Sequence, residues 1–384
     1  MAKGGYSGVE NVSRKIKKGY IGDENGIARK LKKVYVGDEN GKARLCWSGK
    51  ERIFVSMFPQ TATAYYTPMA VTSNDGANWT LHQIGNFTTI YSMTTTTPMY
   101  GNEKFVSTIY DYNVSTSKYT NYIFTSEDGE HWTKGVDVNL LPWSNNNFTY
   151  GNGKFVLTST SACWYSTDTI NWTKSASYNT NNCCDYHVCY ANGMYYGVGQ
   201  NRRFSYSYDA ENWTTNIYDL MGTEDYKYYH KVCYGNGVFV LLQGGTMNIG
   251  VSKDYGKTWS YNLLPYVGYY GIYDSAQIFF KDGMFYIYEY KTFYNYNGGA
   301  SACVTKYTST DGINWGYYGS NLLPYDENLY FNSLTYNNGV IIMRHIYNGI
   351  YYSLDDGNTW SVHPSAYFMG GVSTNVDGGK GDLK

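Results

Sequence analysis

Two apolar runs on either side of a short glycine- and asparagine-rich turn recur along most of the chain. The clearest copy is "CYGNGVFVLL" at Cys233–Leu242. Asparagine and glycine tolerate the positive φ of a tight hairpin turn, so this pattern predicts two antiparallel strands, A and B. Related strings begin at Cys46, Met99, Thr149, Cys189, Phe279 and Thr335.

A polar string alternates with this hairpin along the chain. It reads "SKDYGKTW" at Ser252–Trp259 and "SLDDGNTW" at Ser353–Trp360. Five copies that are one residue shorter end at Trp79, Trp132, Trp172, Trp213 and Trp315. The tryptophans recur about every 47 residues, which is the length of one four-stranded blade of a β-propeller.

Each repeat therefore reads as strand A, tight turn, strand B, variable loop, strand C, polar turn and strand D. The predicted fold is all-β: a seven-bladed β-propeller over residues 43–384, preceded by a short hairpin-like arm over residues 1–42. Residues 43–47 are expected to supply strand A of the first blade. The ring would then lack an exchanged strand, unless Ser365–Asn375 supplies one.

The polar string, the Ser-x-Asp turn, is expected to be structural. Aspartate can accept hydrogen bonds from backbone N–H groups of its own turn, and serine can do so more weakly. Glycine gives the chain freedom where it reverses, and tryptophan buries a large area between blades. The seven predicted structural aspartates are Asp75, Asp128, Asp168, Asp209, Asp254, Asp311 and Asp355.

These turns resemble the Asp-box, or BNR, repeat of sialidase-like β-propellers. The resemblance is closest at Ser252, Asp254, Gly256, Thr258 and Trp259 and in the matching string from Ser353 to Trp360. It is looser in the shorter copies, where Thr169 and Ala210 replace glycine in two of them. The resemblance implies a propeller and carries no implication of catalysis, because Asp boxes occur in many non-enzymes.

The first fifty residues follow a different period. "RKIKKGYIGDENGIA" at Arg14–Ala28 is followed by "RKLKKVYVGDENGKA" at Arg29–Ala43. Lysines alternating with apolar residues before a Gly-Asp-Glu-Asn-Gly turn predict two small hairpins, too small to fold alone. The segment resembles basic N-terminal repeats of phage and prophage tail-associated proteins, which implies an attachment arm. A solvated basic tail is the alternative.

Charge and composition narrow the function classes. The net charge is −1, yet residues 1–50 hold twelve basic and five acidic residues. Because these lie in a patterned repeat, nucleic acid is not the expected partner. With no apolar segment long enough for a signal peptide or a membrane span, the protein is expected to be made in the host cytoplasm, with free thiols and no membrane insertion.

Candidate chemistry is sparse, and the chain is predicted not to be an enzyme. Sialidases hold a substrate carboxylate with three arginines, whereas only Arg52, Arg202, Arg203 and Arg344 follow residue 50. No spacing singles out a pair of loop carboxylates for another glycosidase. The string "CCDYHVC" from Cys183 fits no common zinc pattern. No cofactor and no metal are expected.

The B–C and D–A loops are the expected binding surface, because they vary in length and are rich in aromatic residues. Tyrosine, tryptophan and asparagine suit sugars, and the same composition suits protein epitopes. Three aromatic residues follow an Asn-Leu-Leu-Pro string: Trp143, Tyr266 and Tyr325. Further candidate ligand-binding residues are Tyr110, Tyr112, Tyr269 and Tyr294.

The sequence thus favours a phage or phage-tail-like particle protein located in the virion. Residues 1–42 would contact other virion subunits, and a homo-oligomer is expected. The propeller would recognise a host-surface glycan or receptor without catalysis. One alternative is a purely structural decoration or spacer subunit, and a second is a glycosidase that acts on surface polysaccharide.

Overall fold

The computed structural model describes part of the chain. Its backbone is described for residues 6–9, 12–15, 20–22, 28–30, 33–37, 43–48, 53–62, 65–85, 90–113, 118–137, 147–159, 162–178, 184, 187–199, 203–217, 229–243, 248–265, 276–294, 300–323, 331–337, 339–345, 349–363 and 372–374. Side chains are described for residues 53–58, 67–85, 96–110, 120–135, 147–159, 162–178, 184, 187–199, 203–216, 231–242, 248–265, 276–289, 303–318, 334–337, 339–343 and 350–363.

The chain divides into two compact units, Met1–Arg52 and Ile53–Lys384. The described residues of the first unit form three two-stranded antiparallel sheets. Their strands are β1 (Tyr6–Val9) with β2 (Val12–Lys15), β3 (Tyr20–Gly22) with β4 (Ala28–Lys30), and β5 (Lys33–Gly37) with β6 (Ala43–Ser48).

The predicted place of residues 43–47 in the first blade is wrong. Strand β6 pairs instead with β5, with Val36 opposite Arg44 and Gly37 opposite Ala43. The fifteen-residue repeat places β6 directly after the Gly-Asp-Glu-Asn-Gly turn that follows β5. Closing so short a loop costs little chain entropy, which favours this local hairpin.

The second unit is a seven-bladed β-propeller, which confirms the predicted fold. Blade one contains β7 (Phe54–Ala62), β8 (Tyr65–Ser73) and β9 (Thr80–Gln83), and blade two contains β10 (Ile90–Thr95), β11 (Met99–Gly101), β12 (Lys104–Asn113), β13 (Lys118–Ser126) and β14 (Thr133–Asp137). Blade three contains β15 (Asn147–Gly151), β16 (Lys154–Thr158), β17 (Cys163–Ser166) and β18 (Thr173–Lys174); blade four contains β19 (His187–Ala191), β20 (Met194–Gly199), β21 (Arg203–Ser207) and β22 (Thr214–Ile217); and blade five contains β23 (Tyr229–Gly235), β24 (Val238–Gln243), β25 (Asn248–Ser252) and β26 (Ser260–Leu263). Blade six contains β27 (Gln277–Lys281), β28 (Met284–Tyr294), β29 (Ala300–Ser309) and β30 (Gly316–Leu323), and blade seven contains β31 (Phe331–Asn337), β32 (Val340–His345), β33 (Gly349–Ser353) and β34 (Ser361–His363). The part of the chain that the structure describes contains no helix, and so none that could cross a membrane.

The ring is closed by the last described strand, β35 (Val372–Thr374). It pairs antiparallel with β7, placing Val372 opposite Ser56 and Thr374 opposite Phe54. Blade one therefore takes its strand A from the C-terminal part of the chain and its other three strands from residues 54–83. The sequence analysis left open whether Ser365–Asn375 supplies an exchanged strand, and β35 lies within that range.

The tryptophan of each Ser-x-Asp turn packs at the junction with the preceding blade. Trp259 of blade five lies 5.2 Å from Phe204 of blade four, ring centre to ring centre. Trp79 of blade one packs against the cluster that contains Val340 and Ile342 of blade seven. The junction that closes the ring is thus built from the same kinds of residue as the others.

Candidate functional site

The strand order gives the propeller two chemically different faces. Every described neighbouring pair within a blade is antiparallel, so the A–B and C–D turns lie at one end of the strands. We call this end the turn face. The B–C and D–A connections lie at the other end, which we call the loop face.

On the turn face, each aspartate of the Ser-x-Asp turns is saturated with hydrogen bonds from its own turn. In blade one, Oδ1 of Asp75 accepts the N–H groups of Ala77 and Asn78, both at 2.8 Å, and the Ser73 hydroxyl at 3.1 Å. Asn78 also donates its side-chain amide to Oδ2 at 2.8 Å. Trp79 donates its indole N–H to the carbonyl of Gly76 at 3.1 Å.

The residue before the tryptophan completes each turn, a role that the sequence reasoning missed. In the longer turn of blade five, Thr258 donates its N–H to Asp254 Oδ1 at 2.9 Å and its hydroxyl to Oδ2. In blade two, His131 takes the place of asparagine and lies 2.8 Å from Asp128 Oδ2. The signal was present in the sequence, because asparagine precedes tryptophan in four of the short copies and threonine in both long ones.

These hydrogen bonds hold the aspartates in their charged form. Burial raises the pKa of Asp75, but the hydrogen bonds from Asn78, Ala77 and Ser73 outweigh it and lower the pKa to about 2. The same balance, with Thr258 as the main donor, lowers the pKa of Asp254 to about 2. The pKa values of the other five aspartates are lowered for the same reason. Each of these carboxylates therefore stays charged and accepts its hydrogen bonds from its own turn.

Two turns keep the glycine conformation without glycine. Thr169 and Ala210 both have a φ of 67°, in the left-handed region where Gly76 and Gly129 lie in the corresponding turns. Ala210 is fully buried at the junction between blades three and four. The geometry of the turn thus overrides the local preference of these two residues.

On the loop face, the structure describes three of the seven predicted ligand-binding residues. Tyr110 is half-buried near the end of β12, opposite Asn121. The backbone alone is described for Tyr112, opposite Tyr119, and for Tyr294, opposite Ala300. The other four, Trp143, Tyr266, Tyr269 and Tyr325, lie outside the described residues.

Blades one, two and six carry long B–C hairpins, where the sequence predicted variable aromatic loops and not extended strands. Their B strands have 9, 10 and 11 residues, against 5 or 6 in the remaining blades. At about 3.3 Å per residue, the extra length is about 10–20 Å. Tyr112 and Tyr294 lie in these extensions, which rise from the loop face.

The cysteines and a buried carboxylate have structural settings of their own. The thiol of Cys184 fills space beside Gly197, where a Cβ would lie 2.8 Å from the Cys184 sulfur. His187 and Cys189 are buried side by side on β19. Burial raises the pKa of Tyr307, and the charge of Glu289, which is fully buried on β28, raises it further. Among the described residues, no group of three or more His, Cys, Asp or Glu side chains could hold a metal ion.

Several solved structures share this architecture at low sequence identity. YCF48 from Cyanidioschyzon merolae is 11% identical over 79% of this chain and 97% of that chain, with a TM-score of 0.49. The β-propeller domain of the Trilobed protease from Pyrococcus furiosus is 9% identical over 72% and 85%, with a TM-score of 0.43. A GH74 xyloglucanase from Xanthomonas campestris is 10% identical over 81% and 58%, with a TM-score of 0.41.

No protein-family model and no curated protein matches the chain. At these identities, the likeness to the solved structures concerns the β-propeller fold alone.

Proposed function

We propose that this protein is a subunit of a phage or phage-tail-like particle and that its loop face recognises a host-surface glycan or receptor without catalysis. The Ser-x-Asp turns belong, on this proposal, to the Asp-box type. The observation that carries the binding role is the set of long B–C hairpins in blades one, two and six.

These hairpins carry tyrosines beyond the ends of the shorter B strands on the loop face. Tyr65 and Tyr66 open strand β8 in blade one, Tyr112 opposes Tyr119 in blade two, and Tyr294 ends β28 in blade six. Tyrosine offers a flat apolar ring and a hydroxyl, which suits both sugar rings and protein epitopes. Because only these three blades have long B strands in the described part of the chain, the loop face lacks sevenfold symmetry and can present a single asymmetric surface.

The N-terminal unit supports the particle role. Residues 1–52 form a compact unit of their own, whose described strands make three hairpins, two of them in the basic repeat. A chain of three two-stranded sheets buries little apolar surface by itself, so a partner surface would stabilise it. We assign that partner to neighbouring virion subunits or to further copies of this chain.

Binding of the full-length protein to an array of bacterial surface glycans tests the proposal. Tyr112→Ala and Tyr294→Ala should each weaken a positive signal about tenfold. Tyr208→Ala is the matched control, because Tyr208 is 63% exposed on the turn face. Binding without release of a sugar product supports recognition. Silence on the array and on host cells supports the spacer role, and product release supports a glycosidase.

A further inference from the structure

Lys306 stands where every other blade has a buried apolar side chain. It lies three residues before the serine of its Ser-x-Asp turn, on the side of strand C that meets the next blade. The corresponding residues are all 0% exposed: Ala70, Ile123, Cys163, Phe204, Ile249 and Ile350. Blade six thus places an ammonium group at its junction with blade seven, where the other junctions have hydrocarbon.

The charge of Lys306 is only weakly compensated. Its Nζ donates a hydrogen bond to the backbone carbonyl of Asp356 at 3.0 Å. It also lies 5.8 and 5.9 Å from the ring centres of Tyr286 and Tyr288, within the range of cation–π attraction. Across the described residues, Lys306 forms no ion pair. Burial lowers the pKa of Lys306, and the charges of the more distant Asp356 and Asp355 carboxylates offset this effect only in part.

The nearby carboxylate of Asp356 is already engaged by other groups. Its Oδ1 accepts the hydroxyl of Tyr336 at 2.9 Å and lies 3.7 Å from Nζ of Lys281. Lys281 is itself a departure from the repeat, because glycine ends strand A in blades two, three and five. Asp356 is the extra residue of the longer turn and has a φ of 57°. Lys281 therefore has two carboxylates within 4 Å, Asp282 at 3.5 Å and Asp356 at 3.7 Å, whereas Lys306, among the described residues, donates only to the backbone carbonyl of Asp356.

An aromatic surface adjoins the two lysines. Tyr286 lies on β28 and stacks on Phe279, with ring centres 5.2 Å apart and planes 15° apart. Tyr318 is 68% exposed on the outer strand β30, and its ring lies against Gly316. Gly316 opposes Thr308, which in turn opposes Tyr286, and Tyr318 lies two residues after Gly316 on β30. Tyr286 is half-buried and Tyr318 is exposed, so solvent reaches both rings.

We propose that Lys281, Tyr286, Lys306, Tyr318 and Asp356, together the Lys306 site, bind an acidic sugar residue. Its carboxylate or phosphate pairs with Lys306, and its ring lies against Tyr286 and Tyr318. Asp356 accepts a hydroxyl of the sugar or remains bonded to Tyr336. The site lies on the turn face, apart from the loop face, and does not rest on the function proposed above.

Titration of the full-length protein with four small probes tests this site. Glucuronate carries a carboxylate, glucose 6-phosphate carries a phosphate, glucose carries neither, and inorganic phosphate has no ring. At least one acidic sugar should bind about tenfold more tightly than both glucose and inorganic phosphate, because a charge-assisted hydrogen bond and a stacked ring each contribute. Preference between the two acidic sugars identifies the anionic group. Equal binding of all four probes, or of none, overturns the proposal.

A variant that restores the apolar residue of the other blades separates binding from architecture. Lys306→Ile matches Ile123, Ile249 and Ile350 and should weaken the acidic sugar about tenfold while leaving the melting temperature unchanged or higher. If Lys306 is only a latch between blades, Lys306→Ile lowers the melting temperature and leaves sugar binding intact, which overturns the proposal. If Lys306→Ile does not fold, Tyr318→Ala decides, since this exposed side chain should alter binding and not folding.

Discussion

Gly76 in blade one lies against Val340 in blade seven, so closely that a Cβ on Gly76 would fall 2.7 Å from Val340 Cγ1. Gly76 also has a φ of 84°. This contact is at the junction that closes the ring, and it requires both the left-handed backbone and the missing side chain of glycine. The fit of the last blade to the first therefore depends on one hydrogen atom in place of a methyl group.

Gly76→Ala should lower the free energy of unfolding by about 2–4 kcal/mol, from backbone strain and overpacking together. Gly153→Ala is the matched control, because Gly153 has a φ of 76° and a Cβ added there would meet nothing within 4 Å. It should cost only the strain, about 1–2 kcal/mol. Denaturant unfolding of both variants measures the difference, and equal losses would show that the contact at the closing junction contributes nothing.

Asp128→Ala should destabilise the propeller by about 1–3 kcal/mol, because the N–H groups of Glu130 and His131 lose their acceptor. The neighbouring Glu127 is exposed in the same turn, so Glu127→Ala should change stability by less than about 0.5 kcal/mol. Thermal unfolding compares the two. If Asp128→Ala lost no more stability than Glu127→Ala, the proposed structural role of Asp128 would be wrong.

Acid should destabilise the propeller in a defined pH window. The pKa values of Asp75 and Asp254 are about 2 in the folded chain, below the value of about 3.9 for an unfolded aspartate. Their stabilisation is therefore complete above about pH 4 and is lost as the pH falls towards 2. Melting temperatures across this range should fall steeply, and less steeply in Asp254→Asn. Parallel curves for the two proteins would contradict this linkage.

Removing residues 372–384 should leave blade one without its inner strand. The β7 backbone at Phe54–Ser56 would lose its partners in β35, and an unpaired inner edge would be exposed. We expect a large drop in melting temperature and a greater tendency to aggregate. Removing residues 376–384 only is the control, because this deletion retains β35. Similar melting temperatures for both truncations would show that β35 does not close the ring.

A chain that begins at Ile53 should still fold as a propeller and should lose its ability to join an assembly. The reason is that Met1–Arg52 is a separate compact unit whose strands pair only with one another, as far as the structure describes them. Light scattering coupled to size-exclusion chromatography, with full-length protein as the control, measures the assembly state. If the truncated chain did not fold, or if the number of chains per particle did not change, the proposed role of the arm would be wrong.

The repeat could be predicted because its turn chemistry is local. Serine, aspartate and tryptophan within eight residues define each C–D turn, and seven copies at blade spacing imply seven blades. Strand A of blade one could not be placed this way. "CWSGK" from Cys46 resembles a strand followed by a turn, and only pairing with Lys33–Gly37 shows that it belongs to the arm. Val372–Thr374 is a three-residue strand without a motif, and its partner is distant in sequence.

The Lys306 site, by contrast, left a signal in the sequence. Aligning the seven Ser-x-Asp turns places lysine at a position that is otherwise Ala, Ile, Cys or Phe. That exception becomes informative only when the structure shows the position facing the next blade. The lengths of the B–C hairpins were harder to predict from the sequence. The alternation of apolar and polar residues continues through both strands, so it does not show where the extension begins.

Ring closure by β35 also fixes an order of events during synthesis. Strands β7, β8 and β9 leave the ribosome first among the propeller strands, and their inner-strand partner leaves last. Throughout that interval β7 is an edge strand with open hydrogen-bonding groups, able to pair with a second nascent chain on the same messenger. The last blade to become complete is therefore the first one made, and the slowest step of folding should be the long-range closure between Phe54 and Thr374.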